Sequence, residues 1–267
     1  METNATTPAR IHGLCAFQDN YIWAAQFGDR VAVVDPGDAD PVLHALDEHG
    51  WQLVAILITH HHRDHVGGVE TLVQRTGARV YGPAGEQLPR CDVLLREGDR
   101  VQLPELDLDL QVFDVPGHTA GHIAYYGRAA GEEPVLFCGD TLFASGCGRL
   151  FEGSAAQMYD SLGKLLTLPD DTRVYCAHEY TLSNLRWARA VEPDNPDLAR
   201  WAAEAAALRE AKKRTVPTRL GHERKVNPFL RATEPAVAEA AARHAGQPLP
   251  SGLEVFSTLR SWKDNFR

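Results

Sequence analysis

The sequence is poor in the features that mark secreted and membrane proteins. Its 267 residues include five cysteines that are scattered and form no CxxC pair, which favours reduced thiols in a cytosol. The longest uninterrupted apolar run, Leu53 to Ile58, is far shorter than the roughly 20 residues that a membrane helix needs. The segment Met1 to Arg10 is polar and lacks the apolar region of a signal peptide. We therefore predict a cytoplasmic protein without a membrane span.

Basic charge is also scarce, except toward the carboxyl end. Residues 1–178 contain 12 Lys and Arg against 25 Asp and Glu, whereas residues 179–267 contain 15 against 11. A nucleic-acid-binding protein is expected to carry a stronger and more clustered basic field, so this class of partner is disfavoured. The asymmetry instead indicates that the carboxyl-terminal part helps to hold a small anionic ligand near the functional site.

Short strand patterns separated by turn signals dominate the first 178 residues. Gly28-Asp29 lies between two apolar runs and predicts a hairpin, and Leu53 to Thr59 predicts a strand buried on both faces. Asp40 with the following proline predicts the N-cap of a helix that Gly50 ends. Further strands are predicted over 109–115, 123–126, 135–138 and 173–177, and helices over 154–168, 196–213, 234–244 and 253–266. The last three helices follow a shift toward Ala, Arg and Glu, which predicts a helical second domain.

The densest group of metal-ligand residue types is the HxHxDH run at positions 60–65. Alternate residues of an extended chain project to the same side, so His60 and His62 can bind one ion together. Asp64 and His65 are adjacent and diverge, so they can serve a second ion while His61 points elsewhere. Burying several such groups is costly unless all of them are paired. The spacing therefore predicts two metal ions.

Two ions need more ligands than one loop provides, because each takes about four to five donors. The best remaining candidates each follow a predicted strand beside a small or turn residue: His118, Asp140 and His178. An aspartate can bridge two cations that lie roughly 3.5 to 4 Å apart. His122 competes with His118, since an i, i+4 pair can chelate from a helix, but the nearby glycines disfavour a helix. We therefore assign His118 as the ligand and give His122 an outer-shell or packing role.

Several segments resemble a known family. THHHRDH, with GHT at 117–119, GDT at 139–141 and AHEYT at 177–181, resembles the metallo-β-lactamase superfamily. Within it, the chain is similar to glyoxalase II, the hydroxyacylglutathione hydrolases. That narrower similarity rests on GDTLFASGCGRLFEG at 139–153, AHEYTLSN at 177–184, KVNPFLR at 225–231 and LRSWKDNF at 259–266. HxHxDH is specific to the superfamily only, whereas the four segments together are specific to the subfamily.

The resemblance implies an α/β protein whose αββα sandwich, residues 1–178, carries the metals. A small all-α domain, residues 179–267, then helps to bind glutathione. By this resemblance His60, His62 and His118 hold one ion, Asp64, His65 and His178 hold the other, and Asp140 bridges them. The substrate-binding positions are Arg149, Phe151, Tyr180, Arg260 and Lys263. Without the resemblance, Arg260 and Lys263 indicate only an exposed i, i+3 helix face. Zinc is the expected metal, with iron and manganese as alternatives, because imidazole and carboxylate donors suit all three.

Two substrate positions depart from part of the family. Phe151 stands where some members have a tyrosine, so a hydroxyl contact is absent there. Arg149 replaces the lysine of some members, which keeps the charge but changes the donor geometry.

The predicted reaction is hydrolysis of an S-(2-hydroxyacyl)glutathione, such as S-lactoylglutathione, in methylglyoxal detoxification. A hydroxide that bridges the two ions, oriented by Asp64, attacks the thioester carbonyl, since metal binding lowers the pKa of water to about 7. The thiolate, with a conjugate-acid pKa near 8.5, leaves more readily than an amide nitrogen. The alternatives are a lactonase, an RNA phosphodiesterase, a persulfide dioxygenase with one iron, and a non-catalytic binding module. The complete ligand set disfavours the last of these. We expect a monomer.

Overall fold

The structure is a computed structural model that describes residues 10–129 and 134–266. The chain forms two compact units: unit 1 is Met1–Asp114 with Gly121–Gly139, and unit 2 is Val115–Ala120 with Asp140–Arg267. The expectation about a signal peptide falls on the segment before Arg10, which lies outside the described residues. Within the described ranges, every helix is too short or too polar to cross a bilayer.

Unit 1 is built from two groups of strands and a few helices. Its elements are β1 (Arg10–Ala16), β2 (Asn20–Phe27), β3 (Arg30–Val34), α1 (Asp40–His49), β4 (Gln52–Leu57), α2 (Arg63–Val66), α3 (Val69–Thr76), β5 (Arg79–Pro83), β6 (Val93–Leu95), β7 (Arg100–Leu103), β8 (Leu108–Asp114), β9 (Ile123–Ala129) and β10 (Pro134–Gly139). Strands β1 to β6 pair in chain order, whereas β7 to β10 form an antiparallel meander.

The first sheet changes from antiparallel to parallel pairing at β3. The predicted hairpin is confirmed, because β2 pairs with β3 around Gly28, whose φ of 61° is left-handed. Strands β3, β4, β5 and β6 are parallel. Parallel neighbours need a crossover connection, and α1 and α3 provide the first two. The HxHxDH run therefore follows the carboxyl end of β4, where the chain leaves a parallel sheet.

The core of unit 1 explains why β4 is a continuous apolar run. Its Ile56 is fully buried, and the following Ile58 lies in the same cluster with Val31, Val33 and Val80 of the neighbouring strands. Val42 and Leu46 of α1 and Leu72 of α3 pack against this cluster. After its exposed first residue, Gln52, the strand is apolar, and polar residues return only where it ends.

Unit 2 is mainly helical. Its elements are β11 (Leu142–Phe143), β12 (Gly146–Cys147), α4 (Ala155–Leu165), β13 (Arg173–Cys176), α5 (Thr181–Val191), α6 (Pro196–Glu210), β14 (Thr218–Arg219), α7 (Leu220–Val226), α8 (Pro235–Ala245) and α9 (Gly252–Asn265). The core contains aromatic pairs: Trp187 stacks on Phe229 at 4.7 Å between ring centroids, and Phe229 meets Phe256 at 5.5 Å.

Several sequence-based element predictions need correction. The helix predicted from residue 40 has Ala39 at its N-cap, so Asp40 lies inside the first turn. Two helices after His178, α5 and α7, were not predicted, and neither were β1, α3, β5 and β6. Helix α7 has seven residues, too few for a clear 3.6-residue pattern. The predicted helices over 154–168, 196–213, 234–244 and 253–266 correspond to α4, α6, α8 and α9.

Two substitutions, one at the N-cap of α4 and one inside the helix, are predicted to change the unfolding free energy in opposite directions. Ser154 accepts from the Gln157 amide and Gln157 reciprocates, so Ser154→Ala is expected to cost about 1 kcal/mol of unfolding free energy. Gly163 is an exposed helical residue, and a Cβ added there would meet open space, so Gly163→Ala is expected to add about 0.5 to 1 kcal/mol. Urea denaturation of both variants measures the two values. A change in unfolding free energy of the same sign in both variants would contradict the assigned helix boundaries.

Candidate metal centre and substrate-binding residues

The ligand loop of unit 1 begins just after β4. His60 and His65 are fully buried, and His60 Nε2 lies 3.1 Å from His62 Nδ1, so these two ring nitrogens converge. Asp64 and His65 lie on the short helix α2, which places Asp64 Oδ2 3.6 Å from His65 Nε2. The extended geometry inferred for the whole run thus extends only to His62. The helical turn brings the adjacent pair together instead of letting it diverge.

A buried carboxylate, Asp35, orients this loop. Its Oδ1 accepts from the Thr59 amide at 2.8 Å, and its Oδ2 accepts from the Thr59 hydroxyl at 2.7 Å and from His65 Nδ1 at 3.1 Å. Because the Thr59 hydroxyl donates to Asp35, it accepts from His60 Nδ1, 3.1 Å away. Both imidazoles therefore carry their proton on Nδ1 and keep an Nε2 lone pair, which is the form that binds metal.

Asn20 and Gly37 hold the next residue of the loop. Asn20 Nδ2 donates to the Asp64 carboxylate at 3.0 Å and to its carbonyl oxygen at 3.3 Å. A Cβ on Gly37 would lie 1.8 Å from the Asp64 carbonyl oxygen, so only glycine fits there. Sequence reasoning did not identify Asp35, Asn20 or Gly37 as part of the site. The signal was available for two of them, because Asp35-Pro36-Gly37 follows the end of β3.

The two remaining histidines near the loop do not join the converging nitrogens. His61 is turned toward Glu86, whose carboxylate accepts from the His61 amide at 3.0 Å and from its ring Nδ1. The other oxygen of Glu86 accepts from the Gly121 amide at 3.0 Å. His122 is fully buried and stacks on His60 with ring centroids 4.6 Å apart. This packing agrees with the outer-shell role inferred for His122.

Unit 2 brings the other three predicted ligands together. His118, Asp140 and His178 are all buried. His118 Nε2 lies 3.2 Å from Asp140 Oδ2, and His178 Nε2 lies 3.3 Å from Asp140 Oδ1, so each carboxylate oxygen faces one imidazole. His118 Nδ1 donates to the Arg149 carbonyl at 2.8 Å, which leaves Nε2 as its acceptor. A carboxylate shared in this way has the geometry of a bridging ligand.

The predicted substrate residues all lie in unit 2, but their environments differ. Phe151 is exposed and its ring meets that of His118 edge-on at 5.3 Å. Tyr180 is partly exposed and its ring stacks on His178 at 4.7 Å. The Arg149 side chain is 65% exposed, and Lys263 Nζ donates to the Ser183 carbonyl at 3.2 Å. Four of the five positions therefore present a side chain beside His118 or His178, or at the surface of the same unit.

Arg260 is different, because it is 4% exposed. Its Nη1 donates to the Cys147 carbonyl at 2.8 Å, its Nη2 donates to Asp264 at 2.8 Å, and its guanidinium lies 4.9 Å from the centroid of the Phe229 ring. The exposed helix face that spacing alone indicated for this position is wrong. The side chain is instead used to hold the β12 strand.

Lys263 lies among several positive charges. Its pKa is lowered to about 8, first by burial and then by Arg260, Arg186 and Arg149, while Asp264 opposes the shift. This cation cluster, Arg149, Arg186, Arg260 and Lys263, is the arrangement expected for a site that receives an anion. Sequence reasoning missed Arg186, which lies on α5, a helix that was not predicted.

Comparisons with known proteins agree with this arrangement. The family model described as "Metallo-beta-lactamase superfamily" matches residues 17–178, and the one described as "Hydroxyacylglutathione hydrolase C-terminus" matches residues 179–266. Proteins named hydroxyacylglutathione hydrolase from Cupriavidus metallidurans and Nitrosomonas europaea are 56% and 52% identical to this chain. The alignments cover 97% and 94% of it, and 99% and 94% of those proteins.

Solved structures share the architecture. ETHE1 from Myxococcus xanthus superimposes with a TM-score of 0.65 at 27% identity, covering 97% of this chain and 91% of that one. A protein solved in a di-iron-bound form superimposes with a TM-score of 0.56 at 26% identity, covering 83% of this chain and all of the other. The predicted fold class, an αββα sandwich followed by a helical carboxyl-terminal part, is confirmed, and with the His and Asp groups it implies a dinuclear metal site. The chain belongs to the hydroxyacylglutathione hydrolase family of the metallo-β-lactamase superfamily.

Proposed function

We propose that this protein hydrolyses the thioester of S-(2-hydroxyacyl)glutathiones, such as S-lactoylglutathione, to glutathione and a 2-hydroxy acid. The observation that carries the proposal is the double use of Arg149. Its carbonyl orients the ligand His118, while its side chain belongs to the cation cluster that lowers the pKa of Lys263. An anionic substrate bound by that cluster is thereby tied to the metal ligands of the same unit. Relatives at 52% to 56% identity carry the corresponding name.

The ligand assignment is part of the proposal. His60, His62 and His118 would hold one ion, Asp64, His65 and His178 would hold the other, and Asp140 would be shared by both. The histidine nitrogens with defined tautomers in each unit support it, because a metal requires neutral imidazole with a free lone pair. Zinc is the proposed metal, with iron and manganese as alternatives suited to the same donors. When bound, the ions lower the pKa of water to about 7 and stabilise negative charge on the acyl oxygen.

The protein's own side chains bind and orient the substrate. Glutathione carries two carboxylates, which Arg149 and Lys263 receive, and Arg186 adds to the positive field. Phe151 and Tyr180 present aromatic faces beside His118 and His178, against which apolar parts of the thioester pack. Asp64, held by Asn20, orients the attacking water. The thiolate leaves without a protonated donor because its conjugate-acid pKa is near 8.5.

The roles of the two domains, the cellular location and the oligomeric state are also part of the proposal. Residues 1–178 form the hydrolase domain and residues 179–267 the glutathione-binding domain, which is supported by the separate family models for the two segments. All five cysteines are free thiols, which suits a cytoplasmic protein. We expect it to act as a monomer.

Metal analysis combined with an assay tests the assignment. The purified protein is expected to hold two metal equivalents and to cleave S-lactoylglutathione. Asp140→Ala is expected to lose metal and to reduce kcat/KM by more than the 10- to 100-fold typical of an outer-shell residue, because a ligand itself is removed. Asp47→Ala, on the exposed face of α1, serves as the control and should change neither value.

Two outcomes would count against the proposal in different ways. Retention of both metals and full turnover in Asp140→Ala would contradict the bridging role. A wild-type protein that holds one iron, leaves the thioester intact and consumes oxygen with glutathione persulfide would replace the hydrolase with a dioxygenase.

The pKa of Lys263 gives a pH prediction. Because this pKa is about 8, the ammonium is present below pH 8 and is lost as the pH rises through that value. The KM for S-lactoylglutathione should therefore rise above pH 8, whereas Lys263→Met should show a raised KM at neutral pH and a flatter profile. A two- to fivefold effect is expected for a partly exposed ion pair. Lys212→Met, at an exposed lysine in the turn that follows α6, is the control, and an identical pH profile in both variants would remove Lys263 from the binding site.

A further inference from the structure

The segment Phe143–Gly148, here called the 143–148 loop, is held by side chains from the helices that follow it. It contains the end of β11, all of β12 and the left-handed Ser145, at φ 55°. The contacts are as follows: Asn227 Nδ2 donates to the Phe143 carbonyl at 3.2 Å and the Gly146 carbonyl at 3.0 Å, Asn184 Nδ2 to the Ala144 carbonyl at 3.0 Å, and Arg260 Nη1 to the Cys147 carbonyl at 2.8 Å. The Ser145 amide in turn donates to Glu223 Oε2 at 2.7 Å. Helical side chains therefore fix the backbone of five consecutive residues.

Glu223 differs from these other side chains because it supplies an acceptor to the loop backbone. It is fully buried, and besides the Ser145 amide it accepts from the Thr218 hydroxyl at 2.8 Å and from Asn227 Nδ2 at 3.1 Å. Burial raises its pKa to about 7 although these three hydrogen bonds lower it. A buried carboxyl group is costly unless its oxygens are hydrogen-bonded. Displacing the Ser145 amide would remove one of the three donors of Glu223, so the contact holds this amide in place.

Both ends of the 143–148 loop lead to the metal ligands of unit 2. At its start the chain has just left Asp140. At its end the Gly148 amide donates to the Thr141 carbonyl at 3.2 Å, and a Cβ on Gly148 would lie 1.9 Å from the Asp140 carbonyl oxygen. The next residue, Arg149, supplies the carbonyl that accepts from His118 Nδ1. A change in the path of the loop would therefore move Asp140 and release the ring of His118 together.

We propose that Glu223, together with Asn227, is a positioning residue for the metal centre: it fixes the path of the 143–148 loop and thereby the orientation of Asp140 and His118. Neither residue is close in sequence to a proposed ligand. Their side-chain hydrogen bonds within the described residues run to the 143–148 loop, to Thr218, to the Phe229 amide and to each other. The role rests on the proposed metal centre, since it acts through two of its ligands. With this role, the helical part of the chain would position metal ligands as well as bind glutathione.

The matched control is a second buried glutamate of the same helical region. Glu192 is 5% exposed and pairs with Arg231, with Nε to Oε2 at 3.0 Å and Nη2 to Oε1 at 3.0 Å, and its hydrogen bonds run to Arg231 and Asn195 rather than to the 143–148 loop. Glu192→Ala should therefore destabilise the protein without altering the metal ligands. Its thermal midpoint supplies the baseline against which the Glu223 variants are compared.

The experiment measures metal binding without substrate. Zn²⁺ affinity is determined by chelator competition, and the visible spectrum of Co²⁺-loaded protein reports the ligand geometry. Glu223→Ala is expected to weaken Zn²⁺ binding about 10- to 100-fold and to change the Co²⁺ spectrum. Glu223→Gln keeps the size and one acceptor oxygen, so it is the variant that folds if Ala does not, and it should lose affinity about three- to tenfold. Glu192→Ala should match the wild type in both readouts.

Two results would overturn the positioning role. One is a wild-type affinity and spectrum in the Glu223 variants that fold. The other is an equal loss in Glu192→Ala at a similar thermal midpoint, because the effect would then follow from stability alone. The proposed function is judged separately, by whether the wild-type protein with two metals cleaves S-lactoylglutathione.

Discussion

The structure depends on burying four histidines, His60, His65, His118 and His178, each beside a polar partner, together with the carboxylates Asp35 and Asp140. Such groups are costly to bury unless each has a partner, and here the partners do more than offset that cost. Asp35 accepts a hydrogen bond from His65 Nδ1 and another from the Thr59 hydroxyl, which in turn accepts from His60 Nδ1. The Arg149 carbonyl does the same for His118. The hydrogen bonds that make burial tolerable also leave the lone pairs that a metal requires.

The strand that precedes the ligand loop follows from the same constraint. Strand β4 is apolar after its first residue, Gln52, because neighbouring strands and helices pack against it. Polar side chains return beyond its carboxyl end, and there the short helix α2 contains Asp64 and His65. Gly37 completes the arrangement, because it allows the β3 end to approach the Asp64 backbone at a distance that excludes any side chain. Tight packing around the loop is what gives the ligands one geometry.

The elements that could be predicted from the sequence are those whose signals are local. The strand β4, the hairpin around Gly28 and the helices α6, α8 and α9 follow from hydrophobic period and turn residues, and the ligand types follow from their spacing. What could not be predicted was set by distant contacts. Asp35 becomes an orienting group only because β3 lies beside β4, and Arg186 joins the cations only through the packing of α5. Arg260 has the spacing of a surface residue, yet the carbonyl of Cys147 and the ring of Phe229 bury it.

In the proposed function, Arg149 contributes to the metal centre and to substrate binding through different groups. The hydrogen bond to His118 uses the main-chain carbonyl, so it depends on the path of the chain and is indifferent to the side chain. The guanidinium, by contrast, is largely exposed and can form two parallel hydrogen bonds with a carboxylate, which a lysine cannot. In the proposed function, a change of side chain at this position is expected to alter how glutathione is held and to leave His118 oriented. A change in Glu223 or Asn227 is expected to do the opposite, because the proposed role of these residues is to position Asp140 and His118 rather than to bind substrate.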